Sequence, residues 1–291
     1  MKFAIFGQNY QENTEKVTIE VIQILQENNI EIVIEKQFSN NFQEVTKEIP
    51  TFSSHEELNA SFDVFISIGG DGTILRAVTF VRDKNIPIVG INTGRLGFLA
   101  TVQLENISLL LQKIIKKEYK ISKRRLLELQ CTPKNPDLVD LNFALNEITV
   151  SRKDSTSMIT IETYLNGEYL NSYWADGLII STPTGSTGYS LSCGGPVLMP
   201  DVNSLVITPI APHNLNARPL VVPDEMEIEL RVSGREEHYL VSLDSRITSV
   251  TNETLLRIKK TSFQINMIEF KEEGFLKTIR KKILWGEDRR N

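Results

Sequence analysis

The chain has 291 residues, 41% of them hydrophobic and 24% charged, which is the make-up of a folded protein with one large domain or two of usual size. A net charge of −5 argues against a general nucleic-acid binder, which would carry a basic stripe. No stretch has the roughly 18 consecutive apolar residues of a membrane span, and nothing here excludes an anionic small ligand, because backbone N–H groups can hold phosphates.

Lys2–Gly7 reads as a first strand rather than a signal peptide. Glu12–Asn28 reads as a helix, with Val17, Val21, Ile24 and Leu25 on one face. Glu31–Lys36 alternates like a strand, while the polar stretch Phe38–Ser61 carries no clear period. Asp63–Ile68 is a continuous apolar strand that runs into Gly69-Gly70-Asp71-Gly72-Thr73, with a helix predicted from Thr73 to about Lys84. A strand at Pro87–Asn92 and a helix at Leu104–Tyr119 follow. Strands alternating with helices predict a mostly parallel sheet wrapped by helices. Seven of the thirteen residues from Lys113 to Arg125 are basic, the pattern of a solvated helix face and strand start.

Beyond about Tyr119 the pattern is all β. A strand-like run covers Phe143–Val150, and Met158–Leu165 and Glu168–Trp174 flank Asn166-Gly167, a two-residue hairpin signal. Leu205–Ile210, Met226–Val232, Tyr239–Leu243, Leu255–Lys259 and Phe263–Ile268 are further strands, and Lys271–Trp285 is helical. The fold class is therefore α/β followed by all-β: an α/β domain over 1–120, an all-β domain over 121–270, and a C-terminal helix within 271–291 that packs back on the first domain. Cys131 and Cys193 are far apart and lack metal-ligand spacing, a usage that suits a reducing compartment.

Five segments carry chemistry. In Gly69–Thr73 the glycines let backbone N–H groups approach a phosphate, and the following helix adds its positive end. Asp71 in that loop either handles a hydroxyl or a metal ion beside the phosphate, or caps the helix. The ending of a Walker loop is missing. Asp176–Pro196 gathers hydroxyls and glycines that suit either a polyhydroxylated, phosphorylated ligand or an elaborate turn. Asn146-Glu147 lies within the Phe143–Val150 run, where Glu147 needs a partner if buried. His213 sits on a turn after a strand. Gly90–Leu99 follows a parallel strand at the end where open sheets bind ligands, and its Phe98 either covers a base or fills the core.

Taken together, Gly69–Thr73, Asn92–Phe98, Asn146-Glu147, Asp176–Pro196 and His213–Pro219 resemble the NAD kinase family in content and order, across Lys2 to Phe270. The Gly-Gly-Asp-Gly loop alone is shared with lipid kinases and phosphofructokinases; the Asp176–Pro196 stretch behind an Asn-Glu pair is far more specific. The resemblance implies an α/β domain and a β-sandwich-like dinucleotide-binding domain. It implies a cytoplasmic enzyme that phosphorylates the adenosine ribose 2′-hydroxyl of NAD with ATP to give NADP, using Mg²⁺ or another divalent cation brought in with ATP. It also implies a homodimer or homotetramer in which a neighbouring subunit completes the site.

Carried over by position, Asp71 looks like the residue that activates the 2′-hydroxyl, by accepting its proton or organising Mg²⁺. Gly70 and Gly72 would lie against phosphates, and Arg76 matches a position that often carries a basic or polar contact. Phe98 falls in the ligand-facing loop. Asn146 and Glu147 look like ligands of the ribose and adenine side, and Asp176 like the carboxylate that contacts the nicotinamide portion. Thr187, Gly188, Tyr189, Ser190, Leu191 and Ser192 form the adenosine-binding run, with His213 on a further binding turn. Arg246 stands where many relatives have glutamine. Gly188 and Cys193 replace alanines common in bacterial relatives, and Gly188 is expected to loosen its loop.

Overall fold

The structure, a computed structural model, describes residues 1–8, 12–154 and 157–285. The chain forms two compact units: Met1–Lys123 together with the stretch from Ile265 onward, and Arg124–Gln264.

The first unit begins with β1 (Lys2–Gly7), α1 (Glu12–Glu27) and β2 (Glu31–Glu35). The stretch without a clear period contains α2 (Lys36–Ser39), α3 (Gln43–Thr46) and β3 (Thr51–Phe52). The strand predicted to reach Lys36 stops one residue early. The Glu35 carboxylate accepts the N–H groups of Gln37 and Phe38 at 3.0 and 2.8 Å, which caps α2 and turns the chain. Next come β4 (Val64–Gly69), α4 (Asp71–Val81), β5 (Ile88–Asn92), α5 (Ile107–Ile115) and β6 (Lys120–Arg124). α5 is shorter than the predicted Leu104–Tyr119, because a 3₁₀ turn occupies Leu104–Asn106 and Lys117 takes a positive φ of 59°. In the basic stretch Lys113 pairs with Glu272 at 2.6 Å, and Arg124 is buried rather than solvated.

The second unit holds β7 (Leu127–Thr132), β8 (Phe143–Ala144), β9 (Glu147–Arg152), β10 (Ile159–Leu165), β11 (Glu168–Ala175) and β12 (Gly177–Ser181). A single-turn α6 (Tyr189–Ser192) leads to β13 (Ser204–Ile210), β14 (Leu220–Pro223), β15 (Ile228–Ser233), β16 (His238–Leu243), β17 (Arg246–Thr251) and β18 (Leu255–Lys260). They form two six-stranded sheets, β11-β10-β15-β18-β7-β8 and β14-β13-β12-β9-β16-β17. Alternating inward residues of both sheets, among them Ile161, Tyr173, Ile180, Ile207, Leu230 and Val241, make one apolar core, as in a β-sandwich. The β10–β11 turn has Asn166 and Gly167 at φ 49° and 84°, both positive as a type I′ turn requires.

The chain then returns to the first unit. β19 (Ile265–Glu269) pairs in parallel with β5, and α7 (Phe275–Ile283) follows. The strand predicted at Phe263–Ile268 thus belongs to the α/β sheet and not to the all-β region ending at 270. Its Ile265, Met267 and Ile268 are buried, Met267 and Ile268 on opposite faces of the sheet, and a local apolar run cannot report which sheet it joins. Residues 286–291 of the predicted tail lie outside the described residues.

The seven-stranded order is β3-β2-β1-β4-β5-β19-β6, with β1 parallel to both β2 and β4. β2 and β4 therefore lie on opposite sides of β1. The carboxyl ends of β1 and β4 mark the switch point at which open α/β sheets bind ligands. Val64–Gly69 is buried along its whole length, which explains its uninterrupted apolar sequence. Among the described residues no helix is long and apolar enough to cross a membrane.

Candidate active site

In the first unit, β4 ends at the switch point in the predicted glycine loop. Gly70 is the N-cap of α4 and makes no side-chain cap bond, and Asp71 is the first helical residue. Asp71 is therefore not the cap. Its carboxylate crosses to the loop after β5: Oδ2 accepts the Phe98 N–H at 2.7 Å, and Oδ1 accepts those of Leu99 and Ala100 at 2.9 and 3.0 Å. Gly97 permits this approach, since a Cβ there would overlap the carboxylate. At Gly70 and Gly72 an added Cβ would meet nothing within 4 Å, so the space over this loop is open.

Asn92 folds the receiving loop. Its Oδ1 accepts the Gly94 N–H at 2.8 Å, and its Nδ2 donates to the carbonyls of Arg95 and Ala100 at 2.7 and 3.3 Å. Phe98 is half-buried against α7, its ring centre 6.2 Å from that of Phe275, so it neither fills the core nor stands free. Lys282 of α7 lies 3.7 Å from Asp71 Oδ2. The motif reading missed Asn92 as the loop's organiser and missed Lys282 altogether. The fold supplies the signal for Lys282, because a basic helix last in the chain carries no local mark of what it packs against. Arg76, exposed one turn into α4, borders a cavity of ≈ 330 Å³ lined also by Gln8, Glu35, Phe38, Asn41 and Phe80.

In the second unit, the run predicted at Phe143–Val150 is broken. The N–H groups of Leu145, Asn146 and Glu147 leave the ladder and donate to the Asp244 carboxylate at 2.9, 2.8 and 3.2 Å, so β8 and β9 fall in different sheets. This break aims Asn146 and Glu147. The Asn146 Oδ1 and Glu147 Oε2 atoms are buried without a hydrogen-bond partner, a state that ordinarily costs free energy and marks a place for a ligand or water. Burial, reinforced by the Asp244 charge, pushes the Glu147 carboxyl up to about 8. Burial also raises Asp244, against its N–H bonds and Arg246.

The glycine and hydroxyl run sits over this pair. Thr182 fastens it, donating from N and Oγ1 to the carbonyls of Asn146 and Leu145 at 2.9 and 2.6 Å. Gly188 faces Glu147 Oε2, 3.2 Å from where its Cβ would stand. Thr187, Gly188 and Leu191 are half-buried and Tyr189 and Ser192 exposed. The Ser190 hydroxyl is buried on Thr208 Oγ1 at 2.8 Å, so within the predicted run it braces the loop. Arg246 donates to the carbonyl of Leu141 at 2.6 Å and to that of Phe143, which ties down the segment ahead of the break.

Asp176 and His213 are not with Asn146 and Glu147. β9 and β12 are antiparallel, with Glu147 opposite Ser181 and Ser151 opposite Gly177. Asp176 thus stands beyond the other end of β12, five residues and about 17 Å along the strand. There it pairs with Arg152 at 3.1 Å. His213 is exposed at the same end, its ring 4.4 Å from Trp174, and the Asp176 N–H bonds the Ile210 carbonyl at 3.0 Å.

Comparisons with known proteins agree with one another. Residues 3–119 match the model of the ATP-NAD kinase N-terminal domain and residues 145–270 that of the ATP-NAD kinase C-terminal domain. An NAD kinase from Flavobacterium psychrophilum is 66% identical over the full length of both chains, and one from Bacteroides fragilis is 41% identical, again over the full length of both. Among solved structures, an NAD kinase from Archaeoglobus fulgidus in complex with ATP aligns with a TM-score of 0.74 and 28% identity, covering 97% of each chain. Yeast NADH kinase complexed with NADH aligns with a TM-score of 0.85 over 99% of this chain and 88% of its own, at 23% identity. With both halves matched in order and relatives this similar end to end, the chain belongs to the ATP-NAD kinase family and is an enzyme that phosphorylates NAD.

Proposed function

We propose that Asp71 is the catalytic group that takes the proton from the adenosine 2′-hydroxyl of NAD as the terminal phosphoryl group of ATP is transferred, giving NADP. The observation that carries this is a carboxylate fixed at the switch point by three backbone N–H donors, in a loop with open space over Gly70 and Gly72. Transfer of this kind depends on positioning and charge stabilisation more than on covalent chemistry. A rigidly held base, with open amides and a helix N-terminus beside it, meets that need.

Further assignments support this reading. The unpartnered Asn146 Oδ1 and Glu147 Oε2 would take the ribose and adenine side of NAD, beneath Thr187–Ser192. Arg76 and the cavity it borders lie on the β1 side of the switch point and suit the phosphoryl donor. Mg²⁺ or a similar cation would arrive with ATP as part of the substrate. Among the described residues no cluster of three or more His, Cys, Asp or Glu could form a protein cage for it. Asp176 and His213, at the far end of the sandwich, would serve the nicotinamide side of a site on a neighbouring subunit, which makes the working enzyme a homodimer or homotetramer. Two unpaired cysteines suit the cytoplasm.

The test is an incubation with NAD, ATP and Mg²⁺, with NADP read by an NADP-specific dehydrogenase. Asp71→Asn should lower turnover by roughly 10²–10⁴-fold, as expected for loss of a general base. Turnover close to that of the wild type would remove Asp71 from this role.

A further inference from the structure

Asp71 has a cationic neighbour on the C-terminal helix. Lys282 lies in the last turn of α7, its Nζ 3.7 Å from Asp71 Oδ2 and 4.9 Å from the centre of the Phe98 ring. The helix is held in place independently of this lysine. Thr278 and Ile279 are buried, Phe275 rests on Phe98, and Lys277 reaches the Glu272 carbonyl and the Glu273 carboxylate at 2.6 and 3.3 Å. The side of Asp71 that Lys282 faces is also distinct. Oδ1 accepts two backbone N–H groups and Oδ2 only one, and a carboxylate oxygen offers about two acceptor sites. The acceptor site left over is therefore on Oδ2, the atom beside the ammonium.

We infer that Lys282 is a positioning residue for phosphoryl transfer, acting through Asp71: its ammonium pairs with Oδ2 and offsets the carboxylate's charge so that an anionic phosphoryl donor can approach. The inference rests on the reading of Asp71 given above. A hydroxyl donating to Oδ2 would sit about 2.7 Å from it, with the ammonium beside the same oxygen. That places a cation next to the atom that receives the phosphoryl group, where negative charge gathers during transfer. Without the cation, the donor's phosphates would meet a carboxylate whose charge only the three backbone N–H groups offset. An ion pair this exposed contributes little to folding, so removing it should appear in the kinetics and not in stability.

The experiment is steady-state kinetics on the full chain, with ATP and NAD varied separately and thermal unfolding recorded for each variant. Five proteins are compared: wild type, Lys282→Gln, Lys282→Arg, Asp71→Asn, and the Asp71→Asn/Lys282→Gln double variant. Lys282→Gln should lower kcat by roughly 10–100-fold and raise KM for ATP, leave KM for NAD within about twofold, and unfold at the wild-type temperature. Lys282→Arg, which keeps the charge, should recover at least about a third of the lost turnover. The double variant should be no worse than Asp71→Asn alone within about threefold, since residues acting through one another are not additive. The inference is overturned by a Lys282→Gln kcat within about twofold of wild type, by a loss that Arg does not rescue and that comes with a lower unfolding temperature, or by losses that multiply in the double variant. If Asp71→Asn alone turns over normally, the reading of Asp71 fails first, and that result is separate from a silent Lys282.

Discussion

Glu147 is a side chain whose charge the fold accommodates poorly. It is largely buried, its Oε2 has no partner, and Asp244 lies close by. Burial first, and the Asp244 charge second, lift its carboxyl from an ordinary 4.5 to about 8. The folded form thus holds the proton more tightly than the unfolded chain does. That contribution to stability is complete below about pH 4.5 and is lost as pH rises toward about 8. In the absence of nucleotide, the unfolding temperature of the wild type should therefore fall between pH 5 and 8.5 by more than that of Glu147→Gln, whose amide cannot ionise. Parallel curves for the two proteins would show that Glu147 does not titrate in this window. Gly188 faces the same carboxylate. An alanine there would place its Cβ 3.2 Å from Glu147 Oε2 and from the Gly185 carbonyl, tighter than ordinary contact. Gly188→Ala should change the Kd for NAD by severalfold, read by calorimetry, and an unchanged Kd would show that this glycine does not tune the pocket.

At the scale of elements, the site depends on two carboxylates that replace missing secondary-structure partners. Asp244 accepts three N–H groups at the β8–β9 break, and Asp71 accepts three from the loop after β5. Removing an acceptor from buried N–H groups costs about 1–3 kcal/mol for each one left unpaired. Asp244→Ala should therefore destabilise the protein by at least about 2 kcal/mol and weaken NAD binding, measurable by denaturant unfolding and calorimetry. A variant as stable as wild type would mean that water replaces the carboxylate. The same two residues mark where the sequence was legible. α1, the continuous apolar β4 and the Asn166-Gly167 hairpin rest on neighbours in the chain, and each is visible as a period or a dipeptide. Asp71 was recognisable as special, yet whether it capped α4 stayed open, because its partners lie 27–29 residues downstream. The break at Asn146 was not visible at all, since its acceptor is nearly a hundred residues away. β14 and β17, at the two edges of their sheet, were missed for a different reason: mostly exposed strands such as these carry little hydrophobic alternation.

For the whole molecule, the informative fact is the separation of the predicted site residues along the sandwich. Asn146 and Glu147 stand at one end of β12, and Asp176 and His213 at the other, about 17 Å apart along the strand. The motif order in the sequence places all four in one site, but the strand between them sets them at opposite ends of a single chain's sandwich. A symmetric assembly reconciles the two, if the Asp176 end of one subunit meets the Asn146 end of another. This arrangement makes a prediction that a one-chain site does not. Asn146→Ala and Asp176→Ala should each be nearly inactive alone. Co-expressed with different tags and purified through both, they would form mixed assemblies in which some sites draw intact Asn146 from one subunit and intact Asp176 from the other. In a mixed dimer one of the two sites is restored, so the purified hetero-dimer should regain about half of wild-type turnover. If every site were built within one chain, each subunit would keep its own defect and the mixed assembly would stay as inactive as its parents.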